Sequence, residues 1–207
     1  MNANIKVLVV EDEEEILRHL QEHIGVIYKE TYTATNGIEA LELYKKVQPD
    51  ILLTDIVMPK MDGLKLIEEI NRIKSGDLIT MISTAIDDSE TILKAIDLGV
   101  DSYIPKPINI KKLMAKLANN ATIIENKKRL YEEHQYYQAL IQNFIVSKTD
   151  KNGFITFAND YFCHISGYTQ DELLGKNHNI VRHPDMDKKT FEGLWQTISS
   201  KKVWKGI

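Results

Sequence analysis

The sequence predicts an α/β fold: a doubly wound parallel sheet of five strands, followed by a long connector helix and an incomplete α+β region. Three observations predict it. Residues 1–108 alternate short apolar runs with helical periods, as the β–α units of a parallel sheet do. Residues 109–144 contain neither Gly nor Pro. After residue 144 the chain changes to short segments separated by turn residues.

Each element of the first half has its own signal. The run IKVLVV at residues 5–10 is rich in β-branched residues, as is typical of a strand buried on both faces. Ile16, Leu20 and Ile24 then recur at helical spacing after Glu13. The same reasoning predicts further strands at 31–35, 51–54, 78–83 and 103–104, and further helices at 37–46, 63–73 and 89–98.

The Gly- and Pro-free segment predicts one long helix. Its apolar positions are Ile110, Leu113, Leu117, Ile124 and Tyr131. This stripe favours a two-stranded coiled-coil connector, and the alternative is a last domain helix followed by a polar linker. We expect a domain at 1–122, a connector helix at 109–143 and a second domain at 138–207.

The second domain begins with a predicted hairpin. Residues 144–150 and 154–160 have strand character and flank the turn residues Lys151-Asn152-Gly153, which is a hairpin signal. Short helices follow, and the chain stops where another strand is expected to start. We therefore expect this domain to be truncated.

Composition excludes several classes of function. The formal net charge is −4, and residues 1–108 hold 11 basic and 20 acidic side chains. This balance provides no positive field for nucleic acid or anionic membrane surfaces. No uncharged apolar run approaches the roughly 20 residues that span a bilayer. One cysteine cannot form an intramolecular disulfide, so we expect a cytoplasmic protein.

Polar residues at the ends of the predicted strands carry the strongest chemical signal. Glu11 and Asp12 follow the first strand, and Asp55 follows the third. Parallel strands end at the same edge of a sheet, so these carboxylates are expected to converge. Their mutual repulsion favours a divalent cation, and an all-oxygen ligand set indicates Mg²⁺. Thr84 and Lys106 follow the fourth and fifth strands and can hold phosphoryl oxygens, while Asp55 is the candidate nucleophile.

Four motifs carry a family resemblance through the first half. They are, in chain order, VLVVEDEE, LLTDIVMPKMDG, MISTA and DSYIPKP. Together they resemble the receiver domain of two-component response regulators over about residues 4–122. The resemblance implies a flavodoxin-like fold in which Asp55 accepts a phosphoryl group from a sensor histidine kinase or a phosphotransfer protein. It also implies that Asp12, Asp55 and the main-chain carbonyl of Val57 hold Mg²⁺, assisted by Glu11.

The resemblance further implies a conformational switch. Lys106 pairs with the phosphoryl group, Thr84 moves to bond it, and Tyr103 turns inward. The Lys106–Pro107 peptide bond is expected to be cis. Val57 and Ile86 flank the route of the attacking water, and because both are apolar we expect slow self-dephosphorylation.

The second region resembles the N-terminal part of a PAS domain. The motifs are ITFANDYFCHISGYTQDELLGKNHNIVRHPDM and FEGLWQTISSKKVWKGI. HNIVRHPDM resembles the FAD-binding branch typified by the aerotaxis transducers. That resemblance makes His178, Arg182, His183 and Asp185 candidate flavin contacts. The alternative is a PAS domain without a ligand that serves dimerisation.

We therefore expect a response regulator that signals through the connector helix to the PAS region and to an output beyond Ile207. Apart from self-phosphorylation and self-dephosphorylation, no enzyme activity is expected, and a homodimer through the connector helix and the PAS region is a further hypothesis. Two alternatives remain: a redox or ligand sensor dominated by a flavin-binding PAS domain, and a Mg²⁺-dependent phosphatase with Asp55 as nucleophile. The phosphatase class usually has an acid where Val57 stands.

Overall fold

The chain forms two compact units, Met1–Leu130 and Tyr131–Ile207, in this computed structural model. The structure describes residues 5–74, 76–85, 89–182, 185 and 188–205. Ile86 and His183, for which the sequence predicts functional roles, lie outside the described residues. The boundary between the units falls within one long helix.

The first unit contains the predicted five-stranded parallel sheet. Its strands are β1 (Lys6–Val10), β2 (Glu30–Ala34), β3 (Ile51–Asp55), β4 (Ile79–Thr84) and β5 (Ser102–Pro105). Their spatial order is β2-β1-β3-β4-β5. This order reverses direction between β1 and β3, and ligands of doubly wound sheets bind at that point, beyond the carboxyl ends of the strands.

Five helices cover the two faces of the sheet. They are α1 (Glu14–Ile27), α2 (Gly37–Val47), α3 (Gly63–Ile73), α4 (Ser89–Asp97) and the first part of α5 (Ile110–Asn143). Val9 and Leu53 belong to the core beneath α1 and α5, whereas Leu8 and Leu52 belong to the core beneath α2 and α3. Successive strand residues are thus buried on opposite faces, which explains the continuous apolar runs. Each fully buried side chain of this size stabilises the fold by about 1.5–3 kcal/mol.

Helix α5 changes character along its length. Leu113, Leu117 and Ile124 are buried in the first unit. Lys128 Nζ donates a hydrogen bond to Asp50 Oδ1 (2.7 Å), whereas every residue from 126 to 140 is exposed. Ile124 is therefore the last residue of the predicted apolar stripe that is buried in the core. Tyr131 is 66% exposed in the single chain, and the coiled-coil connector stays a prediction.

The second unit contains a small antiparallel sheet with short helices. The elements are β6 (Ser147–Thr149), β7 (Ile155–Ala158), α6 (Asp160–Ser166), α7 (Gln170–Leu173), a 3₁₀ turn (His178–Val181) and α8 (Lys188–Ser199). The predicted hairpin is confirmed with shorter strands. Its core is formed by Ile155, Ala158, Phe162 and Leu173.

Among the described residues, no helix combines the length and the apolar character needed to cross a bilayer.

Candidate functional site

The carboxyl ends of β1, β3 and β5 bring an ammonium group between two carboxylates. Lys106 follows β5, and its Nζ donates hydrogen bonds to Asp55 Oδ2 (2.7 Å) and Glu11 Oε1 (3.0 Å). Asp55 is the last residue of β3, and Glu11 directly follows β1. The Lys106–Pro107 peptide bond is cis, as expected from the resemblance. Three residues that are far apart in sequence thus meet at the predicted edge of the sheet.

Asp12 completes a cluster of three carboxylates. One oxygen from each of Glu11, Asp12 and Asp55 lies within 4.8 Å of the other two. Glu11 is only 1% exposed and Asp55 only 6%, while Asp12 is the most exposed of the three. With Lys106 as the neighbouring positive charge, the four side chains carry a formal excess of negative charge.

The electrostatics of the cluster follow from its burial. The pKa of Glu11 is raised, first because burial disfavours its carboxylate and further because of the negative charges of Asp55 and Asp12. The hydrogen bond from Lys106 opposes this rise. Burial alone would lower the pKa of Lys106, but its hydrogen bonds to Asp55 and Glu11 outweigh burial and raise that pKa. The ammonium group therefore stays charged and holds the two acids together.

The donor atoms of this cluster suit a hard divalent cation. Glu11 Oε2 is buried and makes no hydrogen bond among the described residues, although it lies 3.0 Å from Lys106 Nζ. A cation beside Asp12 and Asp55 would offset the repulsion that burial intensifies. Carboxylate oxygens are the ligands that Mg²⁺ prefers. The acidic cluster thus fits the Mg²⁺ predicted from the sequence.

The segment between Asp55 and α3 is held by hydrogen bonds of its own main-chain and side-chain groups. Thr54 Oγ1 donates to the Asp55 carbonyl (2.9 Å), and the Gly63 amide donates to the Ile56 carbonyl (2.9 Å). Asp62 Oδ1 caps α3 by accepting from the Lys65 amide (2.7 Å). Val57 lies in this loop, two residues past Asp55, and its side chain is 79% exposed.

Gly63 permits the close approach of α3 to Asp55. A Cβ atom at this position would lie 2.0 Å from the Asp55 carbonyl oxygen. Gly63→Ala is therefore expected to destabilise the first unit by about 1–3 kcal/mol. Gly25→Ala is the control, because a Cβ at Gly25 in α1 meets no atom within 4 Å. It should raise stability by about 0.5–1 kcal/mol, and urea unfolding that ranks the two variants in the opposite order would contradict the assignment.

The two other predicted switch residues lie at the neighbouring strands. Thr84 ends β4, and its carbonyl accepts a hydrogen bond from the Lys106 amide (2.8 Å). The Tyr103 side chain is 57% exposed. Lys116 Nζ lies 5.1 Å from the centroid of the Tyr103 ring and donates to the Tyr103 carbonyl (2.8 Å). The structure therefore holds Tyr103 at the surface.

The predicted flavin contacts are only partly brought together. His178 and Arg182 line a cavity of about 810 Å³ within the second unit, together with Trp195. His178 Nε2 is hydrogen-bonded to Ser147 Oγ (2.8 Å). Asp185 is exposed.

Sequence reasoning missed a buried polar residue in the second unit. The Asn159 side chain hydrogen-bonds to four main-chain groups. An asparagine directly before a helical segment is an N-cap signal that predicts one of these bonds, to the start of α6. The other bonds depend on tertiary structure.

Comparison with known proteins gives matches over both units. A family model for the response regulator receiver domain matches residues 7–118, and a model for the PAS fold matches residues 135–207. The chain is 36% identical to chemotaxis protein CheY of Halobacterium salinarum over 117 residues, which are 56% of this chain and 97% of CheY. It is 33% identical to a probable transcriptional regulator, ycf27 of Guillardia theta, over 147 residues.

The ycf27 match covers 70% of this chain and 56% of that protein, so the chain spans about half the length of this relative. Among solved structures, the N-terminal domain of an uncharacterized protein from Wolinella succinogenes is similar with a TM-score of 0.57 at 32% identity. That match covers 59% of this chain and 98% of the domain.

The receiver match extends over more than half of the chain and includes every residue of the acidic cluster as well as Lys106. The PAS match follows it along the chain. The chain therefore belongs to the response regulator receiver family and carries a region of PAS fold after its receiver domain.

Proposed function

We propose that Asp55 accepts a phosphoryl group from a phosphohistidine on a histidine kinase or a phosphotransfer protein. An oxygen of the Asp55 carboxylate attacks phosphorus, the P–N bond breaks, and its electron pair returns to the imidazole, which takes up a proton. The product is an acyl phosphate. The observation that supports this proposal is the 2.7 Å contact of Lys106 with Asp55 inside a cluster of three carboxylates.

The neighbouring side chains have distinct roles in this proposal. Glu11, Asp12 and Asp55 would hold Mg²⁺, joined by the Val57 carbonyl. The ion supplies positive charge for the transferred oxygens. Lys106 exchanges its hydrogen bond with Asp55 for one with a phosphoryl oxygen.

The switch would follow from the same event. The Thr84 hydroxyl turns to bond the new group, and Tyr103 then leaves its exposed position for the space that Thr84 vacates. New charge-assisted hydrogen bonds bias the equilibrium between the two arrangements. The surface formed by α4 and β5 changes shape as a result.

A groove beside the cluster supports a protein as the phosphoryl donor. It has a volume of about 1110 Å³, and its lining includes Lys106, Pro107 and Ile108 as well as Ile16 and Leu20 of α1. The lining also includes charged side chains of α1, so the groove suits an amphipathic helix of a partner.

The proposal is tested with acetyl phosphate as a small phosphoryl donor. The protein is incubated with the donor and Mg²⁺, and its intact mass is measured. We expect the addition of one phosphoryl group that requires Mg²⁺. A mass that is unchanged by the donor would contradict the proposal.

Magnesium is expected to stabilise the folded receiver. At a concentration of about 100 times the Kd, binding to the folded state alone adds about 2.7 kcal/mol to the free energy of unfolding. Asp12→Asn removes one charged ligand and should abolish most of this gain, whereas Glu22→Gln on the exposed face of α1 should retain it. The measurement is the Tm of each protein in Mg²⁺ and in EDTA. An equal gain in all three proteins would locate the ion elsewhere.

The apolar side chain of Val57 predicts slow loss of the phosphoryl group. Val57 is 79% exposed and lies two residues past Asp55, and in this proposal it flanks the approach of water without offering a hydrogen bond. Val57→Asn should therefore accelerate decay of the phosphorylated form several-fold, as measured by loss of the added mass after donor removal. An unchanged or slower decay would contradict this role.

A second candidate function is a flavin-based sensor in the PAS region. It is favoured by the shared cavity of His178, Arg182 and Trp195, since basic and aromatic groups suit an isoalloxazine ring and its phosphates. Protein purified as a complete natural chain should then be yellow with flavin absorbance. A colourless preparation that takes up no added FAD would remove this candidate.

The domain limits 1–122, 109–143 and 138–207 remain part of the proposal, with α5 as the connector. Its exposed Ile123, Leu130 and Tyr137 recur every seven residues and supply one of the two apolar positions of a coiled-coil heptad. We propose a homodimer through this helix on that basis. Light scattering of the phosphorylated protein should give the mass of two chains. A strictly monomeric form would argue against the dimer.

A further inference from the structure

Asn159 connects the C-terminal end of α5 to the small sheet of the second unit. Its side chain is 4% exposed. The Nδ2 group donates hydrogen bonds to the carbonyls of Ile141 and Phe144 (2.6 Å for Phe144). The Oδ1 atom accepts from the amides of Val146 (3.0 Å) and Phe162 (2.9 Å). Both donors and both acceptor positions of the side-chain amide are thus used.

These partners lie in two stretches of the chain, the run from the end of α5 to the start of β6 and the first turn of α6. The last four carbonyls of an α-helix have no partner within the helix, and Ile141 carries one of them in α5. The last turn of α5, all of whose residues are described, contains no Lys or Arg that could satisfy it. Val146 leads into β6, and its carbonyl accepts from the Asn159 amide (3.0 Å). Phe162 lies in the first turn of α6.

The amide chemistry of Asn159 is more specific than helix capping requires. Aspartate caps a helix as well as asparagine does. At this position, however, aspartate would turn a second oxygen toward the carbonyls of Ile141 and Phe144. Those acceptors would then be left without a donor next to a charge, which is costly in a buried site. The Nδ2 group of Asn159 therefore binds carbonyls at the end of α5 and just after it, whereas the Oδ1 atom caps α6.

We propose that Asn159 is the positioning residue that transmits changes in α5 to the PAS region. It fixes the last turn of the helix to β6, β7 and α6, so displacement of that turn must move the sheet. Lys148 of β6 also reaches α5, through the Tyr137 hydroxyl (2.8 Å), but this contact is exposed and therefore weak. The inference rests on the proposed phosphoacceptor function, because phosphorylation of Asp55 supplies the change.

The test measures amide hydrogen exchange of the full chain with and without beryllium fluoride and Mg²⁺, which mimic an aspartyl phosphate. In the wild type we expect exchange to change in α4 and β5, and also at residues 141–149 and in β7. In Asn159→Asp the change in α4 and β5 should persist. The change in β6 and β7 should disappear, and basal exchange at residues 144–149 should be about tenfold faster.

Asn177→Asp is the matched control in the same unit. Asn177 Oδ1 caps the 3₁₀ turn by accepting from the Asn179 amide (3.1 Å), a role that aspartate retains. Aspartate would lose only the long, exposed hydrogen bond from Asn177 Nδ2 to the Asn152 carbonyl (3.5 Å). This variant should transmit the change as the wild type does. If Asn159→Asp unfolds the second unit, Asn159→Thr takes its place. A threonine hydroxyl still caps α6, but it replaces the two N–H donors to the Ile141 and Phe144 carbonyls with a single O–H.

The outcomes separate this inference from the proposed function. If the first unit responds and the wild-type second unit does not, or if Asn159→Asp transmits as the wild type does, Asn159 is not the transmitting residue and the phosphoacceptor proposal stands. If neither unit responds to beryllium fluoride, the proposed function fails and the inference fails with it.

Discussion

Asp55→Asn is expected to reduce phosphoryl uptake from acetyl phosphate to the level of the buffer alone. An uncharged amide oxygen is a poor nucleophile and cannot form the acyl phosphate. The fold should persist, because Lys106 retains its hydrogen bond with Glu11 (3.0 Å). The substitution also removes one of three negative charges from the cluster, so binding of Mg²⁺ should weaken. The measurement is intact-protein mass spectrometry after incubation with the donor and Mg²⁺.

Asp62→Asn is the matched control for this experiment. Asp62 lies in the same loop, and asparagine caps α3 as well as aspartate does. Its uptake should equal that of the wild type. Phosphoryl uptake by Asp55→Asn at the wild-type level would place the acceptor on another residue.

Lys106→Met is expected to destabilise the metal-free protein by about 3 kcal/mol. The substitution leaves Glu11 and Asp55 buried beside each other without their positive partner, while methionine conserves most of the apolar length of the lysine. Phosphoryl uptake should also fall, because Lys106 no longer holds the transferred oxygens. Urea unfolding in EDTA measures the first effect, and the initial rate of mass gain measures the second.

Two further variants isolate the electrostatic cause. Lys111→Met removes an exposed lysine near the start of α5 and should change stability by less than about 0.5 kcal/mol. Adding Glu11→Gln to Lys106→Met should recover much of the lost stability, because one buried negative charge is removed together with the positive charge. If Lys106→Met proves as stable as Lys111→Met, the ammonium group does not hold the cluster together.

The regular elements of the first unit could be predicted from local patterns. Helix α3 was expected at 63–73 and is found at Gly63–Ile73, and β3 was expected at 51–54 and ends one residue later. Strands buried on both faces give continuous apolar runs, and helices that cover a sheet give a 3.6-residue period. The convergence of Glu11, Asp55 and Lys106 also followed from the sequence, because parallel strands end at one edge.

Other features depended on tertiary contacts that no local pattern encodes. The apolar residues of α5 continue past Ile124 in the sequence, but Tyr131 is exposed because the core that buries the earlier residues ends. The contact of Gly63 with the Asp55 carbonyl and the bonds of Asn159 to α5 join residues whose proximity only the folded chain creates. For the same reason, no local pattern indicates that His178 and Arg182 line one cavity.

Locating the bound phosphoryl group tests the central claim most directly. Protein treated with acetyl phosphate and Mg²⁺ is reduced with borohydride, which converts an aspartyl phosphate to homoserine, and the product is sequenced by tandem mass spectrometry. The convergence of Lys106 and the three carboxylates predicts homoserine at position 55 alone, formed only when Mg²⁺ is present. Homoserine at another aspartate, or at position 55 equally in EDTA, would contradict the assignment of this cluster as a magnesium-dependent phosphoacceptor site.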